Sequence, residues 1–204
     1  MSGDLEPSGL VRIVFADANV MHSRVLCDYL LYAADEEVIA IAWSAQVLRE
    51  ATERLVANVS GFTPDSAARL VSAMSDAFPY AEIQPAAEHY EQLTEHALPD
   101  ENDRHVLVGA VAAEATVLCT ANTKDFPAAV TEPLGIEVMT SDALLSTLIA
   151  ECPSRMTAVH AAVVANLYGS TDASTVAALR RAGAPNAASL MAQLLEAAKT
   201  SGCD

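Results

Sequence analysis

Apolar positions in the first three quarters of the chain alternate between two patterns. Short continuous apolar runs at 11–16, 38–42, 116–119 and 136–139 read as buried strands, and 81–84 reads as a shorter one. Between them, apolar residues recur at helical spacing over 22–34, 45–59, 65–77, 86–97, 103–115 and 142–150. Local signals mark several helix starts. Ser44 stands where an N-cap belongs, and Pro64 follows the breaker Gly61. Strands alternating with helices predict an α/β domain with a parallel sheet covered on both faces. Beyond Cys152-Pro153 the strands stop. Three helical stretches, 154–167, 172–182 and 185–199, are divided by Gly169 and Gly183. The expected organisation is a disordered N-terminus (1–10), an α/β domain (11–150) and a small C-terminal helical extension (151–204).

Charge sharpens that boundary. Residues 1–150 hold 23 acidic and 7 basic residues and so carry the whole net charge of −16, while 151–204 hold 4 of each. So acidic a surface argues against a broad nucleic-acid footprint, because phosphates require a basic face. Any action on nucleic acid must be local. The cysteines form no metal-ligand spacing, and Cys27 and Cys119 lie in apolar segments, as buried thiols of a reducing cytoplasm would. The first nine residues do not read as a secretory signal, and no apolar run is long enough to span a membrane, which takes roughly 18 residues.

Four acids occupy marked positions. Asp17 follows the first strand, Asp103 opens a helix, and Asp125 lies just past a later strand. In parallel sheets the binding crevice lies beyond the carboxyl ends of the strands, so Asp17 and Asp125 belong on that side. Asp103 lies in line with the core stripe Val106, Leu107, Ala110 and Val111 and should point inward. Glu50 borders the apolar face of its helix, whereas Glu53 lies opposite that face. Two carboxylates about 4 Å apart repel by roughly 4 kcal/mol at an effective dielectric of 20. A hard divalent cation with oxygen ligands, Mg²⁺ or Mn²⁺, relieves that repulsion. Each acid also has a structural reading. Asp17 and Asp125 suit turns, and Asp100 suits an N-cap better than a ligand. His105, two residues after Asp103, is expected to point elsewhere. No GxSxG, P-loop or GxGxxG is present.

Four segments resemble the motifs of the PIN-domain family, and in particular the VapC-type toxin ribonucleases that carry a C-terminal helical extension. Phe15-Ala16-Asp17-Ala18-Asn19-Val20 is similar to the opening D-T-N-V motif, with Ala18 in place of Thr. Trp43 to Glu50 is similar to the second motif, Pro99 to Leu107 to a P-D-x-D-D-R-H-V-L form of the third, and Thr120 to Pro127 to the closing T-x-N-x-K-D-F-P. The resemblance covers about residues 11–145. It implies a three-layer α/β/α fold and a Mg²⁺- or Mn²⁺-dependent endoribonuclease that hydrolyses RNA phosphodiester bonds in the cytoplasm. It further implies that Asp17, Glu50, Asp103 and Asp125 hold the metal, that Asn19 orients Asp17, and that Thr120 and Asn122 shape the site. Asn122 stands where many relatives carry Asp, which shifts weight to Asp125. Arg24, Arg49, Arg104 and Lys124 are the bases near the motifs. They either contact the RNA backbone, with Arg104 and Lys124 the leading pair, or form surface salt bridges. The implied partners are RNA, a small antitoxin with a basic tail and, as in many relatives, a second copy of the chain. Two alternatives differ in class. One is a catalytically inactive PIN-fold interaction module. The other is a receiver-like phosphoacceptor domain, against which Asp17 lacks an acidic neighbour.

Overall fold

The computed structural model describes residues 11–201. The expected disordered segment 1–10 and Cys203 lie outside the described residues. Five strands, β1 (Arg12–Ala16), β2 (Ile39–Ser44), β3 (Glu82–Ile83), β4 (Val117–Cys119) and β5 (Glu137–Met139), form one sheet. Their order is β3-β2-β1-β4-β5 and every pair is parallel. β1 therefore lies in the middle. The chain winds from it through β2 to β3, then crosses back to β4 and β5 on its other side. Parallel crossovers are right-handed, so connections that travel in opposite directions cover opposite faces. The result is the expected α/β architecture, a parallel sheet flanked by helices.

The sequence accounts for these elements locally. Ser44 accepts a hydrogen bond from the Val47 N–H (3.2 Å) and so caps α3 (Ala45–Asn58), which leaves β2 at its carboxyl end. Before it come α1 (Ala18–Met21) and α2 (Arg24–Asp35). Thr63 caps α4 (Pro64–Ala77), with proline in the first turn, where a missing N–H costs nothing. The pattern expected over 86–97 yields only α5 (Ala87–Gln92), because the chain turns at Leu93, which is fully buried. Asp100 accepts from the Asn102 N–H (2.9 Å), which makes it the N-cap of a 3₁₀ turn, Glu101–Asp103. That turn leads into α6 (Arg104–Ala112). α6 crosses β1, β2 and β4 closely because Gly109 presents no side chain to the ring of Phe15.

After β4, periodicity gave no warning of the 3₁₀ turn Thr123–Asp125 or of α7 (Ala128–Thr131). Each is too short to show a period. α8 (Ser141–Glu151) follows β5. The tail then forms α9 (Pro153–Asn166), α10 (Asp172–Arg181) and α11 (Pro185–Ser201). α9 and α10 pack on α2, and α11 packs on α8. Met156, Val159, Val163, Leu179 and Met191 join the same hydrophobic core as Tyr29, Leu30, Leu144 and Leu148. Polar links also hold the tail in register. Asp142 of α8 accepts from the Ala187 N–H (2.9 Å) and from Asn186 Nδ2 (2.8 Å) at the start of α11. Inside, the Tyr29 hydroxyl lies 2.5 Å from His160 Nδ1 of α9. Burial pushes the Cys27 and Cys119 thiols up to about 12, so both stay protonated. Among the described residues no helix is long and apolar enough to cross a membrane.

Candidate metal centre

The strand order places a switch point between β1 and β4. From their carboxyl ends the chain departs in opposite directions and leaves a crevice. Ala16 pairs with Cys119, and the Asp17 N–H continues the ladder by donating to the Cys119 carbonyl (3.0 Å). Asp17 and Thr120 thus stand side by side at the floor of the crevice. Thr120 is fully buried and Asp17 is 7% exposed.

A closed set of hydrogen bonds fixes the Asp17 carboxylate. Thr120 Oγ1 donates to Asp17 Oδ2 (2.7 Å), and Asn19 Nδ2 donates to the same oxygen. Asn19 Nδ2 also reaches Thr120 Oγ1 (3.0 Å), while Asn19 Oδ1 accepts from the Ala121 N–H (2.8 Å). The Asn122 N–H donates to Thr120 Oγ1 (3.1 Å). One hydroxyl and one amide therefore lock the turn after β1 to the turn after β4. Burial pushes the Asp17 carboxyl above its usual range. The Thr120 hydroxyl, the backbone N–H groups of Ala18 and Asn19 and the charge of Arg54 pull it back.

Asp103 and Asp125 form an acidic pair nearby. Asp103 ends the 3₁₀ turn that starts α6 and is half-buried, and Asp125 ends the 3₁₀ turn after β4. The two carboxyls lie within hydrogen-bonding reach of each other. Asp103 is pushed up from 3.8 to about 6. Burial is the largest cause, then the hydrogen bond and charge of Asp125, then the charges of Asp17 and Asp100. Asn122 Nδ2 donates to Asp125 Oδ2, which fixes that carboxylate from the other side.

Glu50 is engaged differently. It is half-buried on α3, as Glu53 is not, and its Oε1 accepts from Gln46 Nε2 (3.1 Å). His105 Nε2 lies 3.2 Å from the same oxygen. His105 turns to Glu50. Its ring is set by Nδ1 against the Asn102 carbonyl (2.7 Å) and faces Glu50, which links α3 to the start of α6. The structure thus pairs Asp103 with Asp125 and leaves Asp17 near enough for its charge to act on Asp103, while the contacts of Glu50 are Gln46 and His105. Among the described residues no three His, Cys, Asp or Glu side chains close into a ready-made metal cage.

The bases divide into tethered and free. Arg104 is tied to Glu101 (2.6 Å) and to the carbonyls of Leu93 (2.6 Å) and His96 (2.9 Å), which fastens the 93–96 turn to α6. Arg24 pairs with Asp28 (2.7 Å). Lys124 is exposed on the turn that carries Asp125. Arg54 lies outside the four motifs. It stands four residues after Glu50, a spacing that puts both on one side of α3. That spacing is the signal that could have found it.

Comparison of the chain with protein-family models, curated proteins and solved structures found no match.

Proposed function

We propose that the protein is a Mg²⁺- or Mn²⁺-dependent endoribonuclease of the PIN type, the toxin member of a toxin–antitoxin pair acting in the cytoplasm. The observation that carries this reading is the pairing of Asp103 with Asp125 near the switch point of the sheet, within reach of the charge of Asp17. Facing carboxylates raise the energy of the protein unless a proton or a cation is shared between them. Carboxylate oxygens make a hard donor set that suits Mg²⁺ or Mn²⁺. Asp103 and Asp125 would hold the ion, and the resemblance adds Asp17 and Glu50 to the residues that would serve it. Bound there, the ion would lower the pKa of a water and neutralise charge on a scissile phosphate.

The residues of the chain supply the rest. Asn19 and Thr120 keep Asp17 in one orientation, so little rearrangement precedes binding. Asn122 does the same for Asp125. His105 steadies Glu50 from α6. The net charge of −16 supports a basic partner segment, such as the tail of a small antitoxin, reaching the same crevice. That charge also supports a second reading, a PIN-fold interaction module without catalysis.

Cleavage of a labelled total-RNA pool separates the two readings. Wild type and Asp103→Ala are assayed with Mg²⁺, with Mn²⁺ and with EDTA. Cleavage that requires the metal and disappears in the variant is the expected result. Metal-dependent cleavage that survives the substitution contradicts the assignment of the site. A folded protein that binds Mn²⁺ and cleaves nothing favours the interaction module.

A further inference from the structure

A carboxylate crevice on a chain of net charge −16 repels the polyanion that the proposed function requires. A cation must meet the strand at the mouth of the crevice. α3 leaves β2 at the end of the sheet where the crevice lies, and it packs against α1, the helix that Asp17 caps. Val47, Glu50 and Arg54 recur at three- and four-residue spacing and form one stripe along α3. Arg54 is exposed, and its guanidinium has no hydrogen bond or ion pair among the described residues. It is nonetheless close enough for its charge to act on the Asp17 carboxylate. Arg12, Arg24 and Arg104 are by contrast all held by carboxylates.

We propose that Arg54 is a substrate-binding residue that grips a phosphate of the RNA strand at the mouth of the carboxylate crevice. This rests on the ribonuclease reading above. The planar guanidinium offers two parallel N–H donors to two phosphate oxygens, which an ammonium does not match. One turn beyond Glu50, it would hold the strand while the carboxylates face the bond to be cleaved.

The test uses the full chain and a short labelled RNA taken from the fragments of the total-RNA assay. Wild type, Arg54→Ala, Arg54→Lys and Arg69→Ala are compared in Mn²⁺ over a range of salt and pH. Arg69, on α4, is bonded to Ser66 and lies outside the site. Arg54→Ala is expected to raise KM about ten-fold, with a smaller change in kcat and the same pH midpoint. It should also flatten the dependence of log KM on log salt by about 0.7, one phosphate contact on a single strand. Arg54→Lys should restore the salt slope but only part of the affinity, and Arg69→Ala should match wild type. The proposal is overturned if Arg54→Ala keeps wild-type KM and salt slope, whether or not its pH midpoint moves. A moved midpoint would make Arg54 a counter-charge for Asp17. It is also overturned if Arg69→Ala loses as much, because the effect would then be net charge alone. In each of those cases metal-dependent cleavage abolished by Asp103→Ala leaves the nuclease reading standing. If wild type neither binds nor cleaves RNA, both fall together.

Discussion

Asp103→Asn should make the metal-free protein more stable near neutral pH, although it removes a residue of the proposed site. The wild-type carboxyl is raised from 3.8 to about 6, first by burial and then by Asp125 and Asp17. A raised acid is a destabilising group once ionised, because the folded state holds its proton more tightly than the unfolded chain does. Below about pH 4 both states keep the proton and there is no penalty. The penalty grows between the two values and is complete above the upper one. At full strength the step from 3.8 to about 6 corresponds to about 3 kcal/mol. Asp103 is only partly buried, so solvent screening reduces this to about 1–2 kcal/mol. For a chain of this size that is a rise in Tm of about 3–6 °C. The assay is thermal and urea unfolding in EDTA at about pH 7.5 and about pH 4.5, where the gain should be mostly lost. In Mn²⁺ the order reverses. On the proposed function, wild type should gain stability by binding the ion, and the variant, one anionic oxygen short, should gain less. A variant less stable than wild type at the higher pH, or shifted equally at both, would show that Asp103 does not face other carboxylates.

Thr120→Val removes the donor to Asp17 and the acceptor for Asn19 and Asn122. It should cost about 1–3 kcal/mol in urea unfolding, and a cost near zero would mean that the turns after β1 and β4 are held by other means. Gly109→Ala places a methyl group against the Phe15 ring. It should destabilise by about 1–3 kcal/mol through overpacking, despite the better helix propensity of alanine. A stabilised variant would refute the close crossing of α6 over β1. Arg104→Ala frees the Leu93 and His96 carbonyls. Amide exchange at residues 93–96 should quicken, with the salt dependence of RNA binding unchanged. The opposite pattern would make Arg104 a phosphate contact.

The elements that sequence reading located are those whose burial repeats along the chain. β1, β2 and β4 are apolar runs, and α2, α3, α4 and α8 show a full apolar stripe with a recognisable cap or breaker at one end. What escaped lacks a repeat. α1 and α7 have four residues each, about one turn, so no period is visible. α5 stops early for a tertiary reason. Leu93 is drawn into the core and Arg104, eleven residues later, takes up its carbonyl. No local signal encodes that bond.

The candidate site divides along the same line. Asp17, Asp103 and Asp125 could be singled out because each adjoins an element whose direction was readable, and the switch point brings such ends together. The side chains that orient them could not be read in the same way. The hydrogen bond from Thr120 to Asp17 spans 103 residues, and it exists because Ala16 pairs with Cys119 in the sheet. Register is a property of two strands together and is not written in either one. The contact of His105 with Glu50 is of the same kind, because it depends on how α6 meets α3. Arg54 follows from the opposite case. α3 is regular throughout, so four residues from Glu50 fixes its side of the helix. Only the sheet order, which carries α3 to the carboxyl edge of β1, gives that side a chemical meaning.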